Sequence, residues 1–283
     1  MPGGRLCRGL TTLPCRLFTS EATVELSDGA PELAVVPAWK TKALRAALLT
    51  ASDLGISQLR GVLRVESSIA VSLGFGSSTS DVTASIRAVL DAFGVELDHA
   101  CVARLAVQAE SAADPLMFDD MVLFAHREGR VIESFHAPLP ALAVLGFPLG
   151  LDPVDTLAFP RARYDRNEIR QLDALRDQLR LAVLTGDLPA MGHVATESAR
   201  INQRFLPVPR FGDLVRMARN AGAAGLQVAH SGSIGGFLFD PADPDLLETI
   251  TRAEKELRAF GVGDSWYYLE EPESARPLIS RTD

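Results

Sequence analysis

The sequence predicts an α+β fold in two parts, and three observations carry that prediction. Amphipathic helical segments and short apolar runs alternate irregularly, which argues against a doubly wound sheet. A length of 283 residues with 47% apolar content suffices for a large core and for two modest domains. Pro138 and Pro140 mark a change of texture, from a part with many strand-like runs to a part dominated by helical ones. Domains spanning 1–138 and 139–283 are therefore expected.

In chain order, Leu10 to Leu26 reads as one or two strands, broken around Pro14 and ended by Ser27-Asp28-Gly29. Lys40 to Leu54 places Leu44, Ala47 and Leu48 at helical spacing. Gly61 to Leu73 alternates like a strand and feeds a Gly/Ser loop. From Ser78 to Phe93, the residues Val82, Ile86, Val89, Leu90 and Phe93 form one apolar helical face. Ser78 with Asp81 three positions later reads as that helix's cap, and Gly94 as its stop. Asp98 to Ala113 is a second predicted helix, stopped by Pro115. Met117 to Phe124 is apolar around Asp119 and Asp120, and Val131 to Phe135 and Ala141 to Phe147 read as strands. Beyond Pro140, helices are predicted over Arg166 to Leu184, Pro189 to Phe205 and Pro209 to Ala221, each opened by a proline or polar residue. Two short strands, Gly225 to Ala229 and Gly236 to Phe239, flank the loop from His230 to Gly235. A helix from Asp243 to Phe260 and a strand from Ser265 to Leu269 close the pattern.

Charge and cysteine usage restrict the functional classes. A net charge of −8 without a long basic run makes nucleic acid or an anionic membrane surface an unexpected partner. The three cysteines, Cys7, Cys15 and Cys101, have spacings that fit neither a disulfide framework nor a zinc site and suit a reducing cytoplasm. No apolar run reaches membrane-spanning length; the longest, Ala141 to Leu151, suits a buried strand. Arg5, Arg8 and Arg16 precede the first acid, Glu21, as in a transit peptide, but Leu17 to Leu26 continues into strand-like alternation.

Four stretches carry candidate chemistry. Gly74 and Gly76 let backbone approach a ligand, while Ser77, Ser78 and Thr79 bring hydroxyls to a helix N-terminus, where free N–H groups favour an anion such as phosphate. Taken alone, the same stretch also suits a plain strand–turn–helix link. It lacks the Gly-Lys-Ser/Thr of a Walker loop and the third glycine of a dinucleotide fingerprint. Glu110 and Asp114, four apart at the C-terminal end of a helix, suit a metal ligand and a proton acceptor, or else a solvated acidic turn. His230-Ser231-Gly232-Ser233-Ile234-Gly235-Gly236 is a second Gly/Ser loop, readable as a wall against substrate or as a hairpin connection; His230 has no partner at metal-ligand spacing. Thr196, Ser198, Asn202 and Gln203 lie in one predicted helix and either line a pocket or face water.

Taken together, these residues resemble the GHMP kinase superfamily, small-molecule kinases that include the homoserine, mevalonate and galactose enzymes. Within it the likeness is to the L-threonine kinases of propanediol utilisation and cobalamin synthesis. Gly74-Phe75-Gly76-Ser77-Ser78-Thr79-Ser80-Asp81 resembles the phosphate loop in its Ser-Ser-Thr-x-Asp version. Glu110 through Asp114 to Phe118 is similar to the acidic segment of that branch. Val154 to Phe159, Ala195 to Ala199 with Asn202-Gln203 and Leu206-Pro207, and Val228 to Gly232 followed by Gly235-Gly236 fit the same pattern.

The resemblance implies an N-terminal α+β domain with the phosphate loop and a C-terminal ferredoxin-like domain, using ATP and Mg²⁺. It places Gly74, Phe75, Gly76, Ser77, Ser78, Thr79, Ser231 and Gly232 at the nucleotide and Ser78 and Glu110 at the metal. Asp114 becomes the residue that orients or deprotonates the substrate hydroxyl, and Thr196, Asn202 and His230 fall at the substrate. The implied partner is a small amino acid or alcohol, L-threonine first, with serine, homoserine or another small alcohol as alternatives and a homodimer as the candidate assembly. Two departures stand out. Ala70 replaces the usual proline. The family's opening Gly-Glu-Leu-type segment also has no counterpart, so a gap of about fifteen residues and an unpaired sheet edge are expected. The rival expectation is therefore a truncated, non-catalytic nucleotide-binding member.

Overall fold

The computed structural model describes residues 7–70, 75–150 and 163–270. The chain divides into two compact units, Met1–Ser134 and Phe135–Asp283. Among the described residues, no helix is long and apolar enough to cross a membrane.

The first unit holds strands β1 (Gly9–Leu10), β2 (Ser20–Leu26), β3 (Leu33–Val36), β4 (Gly61–Ser67), β5 (Val122–Ala125) and β6 (Arg130–Ser134). Its helices are α1 (Thr41–Asp53), α2 (Ser77–Ala92) and α3 (His99–Glu110). The strands form two three-stranded sheets, in the orders β2-β4-β3 and β1-β5-β6. β4 is antiparallel to β2, from Ser20↔Ser67 to Leu26↔Gly61, and parallel to β3. The predicted strand region Leu10 to Leu26 thus splits between sheets, because Gly9 and Leu10 pair with β5. β3 has no counterpart in the sequence prediction. The expected strand from Gly61 ends at Ser67 in regular pairing, and its last residues, 71–73, lie outside the described residues.

Small side chains let the helices of this unit pack closely. Ala43, Ala46, Ala47 and Ala51 recur on one face of α1 and are almost fully buried. That face meets Val89 of α2 together with Leu63 and Val65 of β4 in one cluster. Val82, Ile86 and Leu90 of α2 join Val102, Leu105 and Ala109 of α3 and Phe124 of β5 in a second. The apolar spacing read along α2 is thus its core face, except at Phe93, which is exposed; of the residues read on α1, Ala47 is buried and Leu48 is exposed.

The second unit holds β7 (Leu142–Pro148), α4 (Arg166–Thr185), α5 (Leu188–Asn202), α6 (Phe211–Asn220), β8 (Gly225–Val228), β9 (Ile234–Phe239), α7 (Leu246–Phe260) and β10 (Trp266–Glu270). Its sheet runs β10-β7-β9-β8 with every neighbour antiparallel. That is the ferredoxin-like order, with three helices in the first crossover and one in the second among the described residues. Ala143, Leu145 and Phe147 alternate onto one face of β7 and pack with Leu214, Phe237, Ile250 and Leu257.

At the edge strand β8, helix α5 crosses backbone to backbone. A Cβ on Gly192 would lie 2.3 Å from the carbonyl oxygen of Ala224, and one on Gly225 would lie 2.1 Å from that of Gly192. The Thr196 hydroxyl donates to the Gly192 carbonyl at 2.9 Å and accepts from the Leu226 N–H at 2.9 Å, occupying a donor that no strand covers among the described residues. Thr196, which the resemblance places at the substrate, thus has a structural role at this edge. Thr196→Val should cost about 1–3 kcal/mol by orphaning that N–H, read as a lowered urea midpoint, whereas Thr196→Ser should stay close to the parent.

Candidate active site

The described chemistry of the first unit gathers at the start of α2. Gly76 is the N-cap in the left-handed region, with φ 69°, and no side chain caps the helix. The expected cap, Ser78, has another use. Its hydroxyl donates to Glu110 Oε2 at 2.5 Å, and the Thr79 hydroxyl donates to Glu110 Oε1 at 2.7 Å. Both oxygens of a buried carboxylate on α3 are therefore held by the first turn of α2.

α3 stops at Glu110, short of the predicted Ala113. Ser111 takes a left-handed conformation, with φ 70°, and its N–H closes the helix on the Val107 carbonyl at 2.7 Å. The chain then doubles back, and the Ala113 N–H donates to the His126 carbonyl at 2.9 Å. Glu110 and Asp114 consequently do not share a helical face as predicted. They meet through the turn instead: the Asp114 N–H donates to the Thr79 hydroxyl at 3.3 Å. The Asp114 carboxyl reaches Gly76, where a Cβ would stand 2.9 Å from Oδ2. Gly76→Ala meets both obstacles at once. The left-handed backbone should cost roughly 1–2 kcal/mol, and the methyl should displace Asp114, lowering the melting temperature and ligand affinity together.

Burial dominates the electrostatics. It pushes the Glu110 carboxyl up to about 7, opposed by the Ser78 and Thr79 hydroxyls and by the charge of Lys42, with Asp114 adding to the rise. Burial also raises the Asp114 carboxyl. Two carboxylates that would rather not be charged thus stand beside a helix N-terminus. Such a place suits a cation together with an anion that shares it.

Below them, burial pushes His126 from 6.5 down to about 4, helped by the charges of Arg8 and Arg127. A histidine kept neutral in the fold but protonated in the unfolded chain stabilises above the unfolded value. That stability is lost as pH falls from 6.5 toward 4. Thermal melts across this window should fall more steeply for the parent than for His126→Gln, by at most ~3 kcal/mol and less after solvent screening.

The structure therefore brings Gly76, Ser78, Thr79, Glu110 and Asp114 together, with Ser77 in the same turn of α2. Phe75 packs edge-on against Phe18, with centroids 5.1 Å apart. Gly74 and the segment 154–159 lie outside the described residues. In the second unit, His230, Ser231 and Gly232 form the turn joining β8 to β9. Gly232 is left-handed there, with φ 75°, and the Ser231 and Ser233 hydroxyls are 2.6 Å apart. Asn202 ends α5, its carbonyl accepting from the Phe205 and Leu206 N–H groups. Sequence reasoning passed over Lys40 and Lys42. Two cations at a helix start, where the dipole disfavours them, were the available signal.

Comparison with known proteins identifies the family. The GHMP kinases N terminal domain model matches residues 41–127 and the GHMP kinases C terminal model matches residues 174–255, together more than half of the chain. The chain belongs to the GHMP kinase family. It is 32% identical over 195 residues to an L-threonine kinase of Salmonella typhimurium, covering 68% of this chain and 65% of that protein. A second L-threonine kinase, from Citrobacter freundii, is 30% identical over 177 residues, covering 62% and 61%. The matched region thus spans just under two thirds of either relative. Among solved structures, homoserine kinase from Cytophaga hutchinsonii superposes with a TM-score of 0.66 at 19% identity, covering 88% of this chain and 84% of that one. L. major mevalonate kinase gives 0.64 at 18% identity, covering 90% and 87%. At such identities the two structures speak for the fold.

Proposed function

We propose that this chain is an ATP-dependent kinase for the hydroxyl of a small amino acid, converting L-threonine to O-phospho-L-threonine. The observation that carries the reading is the buried Asp114 carboxyl against Gly76, at the uncapped N-terminus of a helix whose hydroxyls hold Glu110. The two L-threonine kinases it resembles supply the substrate class.

The chemistry follows from placement. The uncapped N–H groups of α2 receive phosphate oxygens, and Gly76 lets them approach without a side chain in the way. The substrate hydroxyl oxygen bonds to the γ-phosphorus as the bond to the departing ADP oxygen breaks. Asp114 receives the hydroxyl proton, and its burial raises its proton affinity for that task. Glu110 and Ser78 offer hard oxygen donors that fit Mg²⁺. Among the described residues no group of three or more His, Cys, Asp or Glu could hold a metal ion. The fit is thus to an ion that takes phosphate oxygens and water as its other ligands. When bound, that ion would offset charge on the phosphates. Dependence on ATP makes the cytoplasm the proposed compartment.

ADP release by the purified protein with Mg-ATP and L-threonine, beside serine and homoserine, tests the reading. Turnover led by threonine supports it. A preference for serine or homoserine reassigns the substrate, and nucleotide binding without turnover on any of them favours the non-catalytic alternative.

A further inference from the structure

One turn past the hydroxyls that hold Glu110, α2 carries a third carboxylate that this chemistry leaves unused. Asp81 is buried. Its Oδ2 accepts from Lys40 Nζ at 2.6 Å and its Oδ1 from the Ser20 hydroxyl at 2.6 Å. The Lys40 side chain, at the start of α1, is only 5% exposed, and its ammonium lies 5.0 Å from the Trp39 ring centroid. Ser20 begins β2. Two elements, whose contacting residues lie 41 and 61 positions from Asp81 in sequence, therefore converge on one side chain of α2. The Ser85 hydroxyl adds a bond to the Asp81 carbonyl at 2.7 Å.

Stability alone does not account for this arrangement. A buried ion pair gives up hydration that apolar side chains of the same volume would not, so it is seldom the most stable solution. Its geometry is directional, however. Asp81 stands three and four residues beyond Ser78 and Ser77, so it lies on their side of the helix. Fixing it fixes the rotation of α2 about its own axis. Charge matters as well: a bare carboxylate here would repel phosphate at the helix end, and the Lys40 ammonium cancels it.

We propose that Lys40, Asp81 and Ser20 are positioning residues. They lock the first turns of α2 in the orientation that aims its N–H groups and hydroxyls, before any ligand arrives, and cancel the negative charge that Asp81 would otherwise add there. The kinetic consequences rest on the kinase reading; the mechanical one does not.

The test compares Lys40→Met, Asp81→Leu, their double variant and Ser20→Ala by hydrogen exchange of the unliganded protein and by steady-state kinetics. The single charge variants should melt early, and the double variant should recover most of the loss. Even so, amides 77–81 of the double variant should exchange about tenfold faster than in the parent, with other regions unchanged. Its KM for Mg-ATP should rise about tenfold while KM for threonine moves less than about twofold. Ser20→Ala, which keeps both charges, should shift exchange and KM in the same direction by a smaller factor. Parent-like exchange at 77–81 in the double variant overturns the proposal, and if that variant does not fold, parent-like exchange in Ser20→Ala does so. Accelerated exchange in variants of a parent that turns over no substrate would sustain the lock and reject the kinase reading.

Discussion

Asp114→Asn is expected to lower kcat for threonine-dependent ADP release by ~10²–10⁴-fold, the usual contribution of a positioned general base. The substitution keeps the shape of the side chain, so the contact with Gly76 and the Asp114 N–H donation to Thr79 should survive. What it removes is the capacity to take a proton. Burial that raises the Asp114 carboxyl makes charge costly there, so the neutral variant should melt no earlier than the parent. KM for Mg-ATP should change little. A variant with kcat within about threefold of the parent would remove Asp114 from the role of base.

Glu110→Gln carries the second large effect, and the sign of its stability change differs from the usual cost of mutating a buried residue. The parent carboxyl, pushed up to about 7, is held charged above that pH only against its own burial. Gln removes the charge and can still accept one of the two hydroxyls, so the unliganded variant should melt at or above the parent temperature. Function should move the other way. Loss of an anionic oxygen ligand should reduce kcat by ~10²–10³-fold, matching several kcal/mol of charge stabilisation. Mg-nucleotide should then raise the melting temperature of the parent far more than that of the variant. Melts with and without Mg-ADP decide this; equal shifts would take Glu110 out of the metal site.

Much of this architecture is legible without coordinates where the signal is local. The apolar spacing of Val82, Ile86, Val89 and Leu90 is the buried face of α2, and the strand–loop–strand pattern around Ser231 is the β8–β9 hairpin. β3 escapes notice because Leu33-Ala34-Val35-Val36 is four residues long and lies between Pro31 and Pro37, which read as loop punctuation. The end of α3 is misjudged for a different reason. Ser111 turns left-handed, and nothing in Ser-Ala-Ala announces it, since residues other than glycine seldom do so.

The same limit explains the candidate site. Ser78 and Asp81 have the spacing of a local cap, yet each finds a partner far away in sequence, at Glu110 and at Lys40. Spacing identifies which residues can bond, but tertiary packing chooses between a neighbour and a distant competitor. Thr196 shows the choice in reverse. Its polar side chain suggests a pocket, while the fold spends it on an edge strand.

The Thr79 hydroxyl gives the acidic pair a common joint. It donates to Glu110 and accepts from the Asp114 backbone through one oxygen atom. Donation to a fully charged carboxylate polarises that oxygen and makes it a better acceptor, since hydrogen bonds in a chain reinforce one another at low dielectric. The electrical state of one acid is thereby felt as tension on the turn that carries the other. On the proposed kinase reading, cation occupancy at Glu110 and proton acceptance at Asp114 would be two readings of a single coupled equilibrium, each obliged by reciprocity to alter the other.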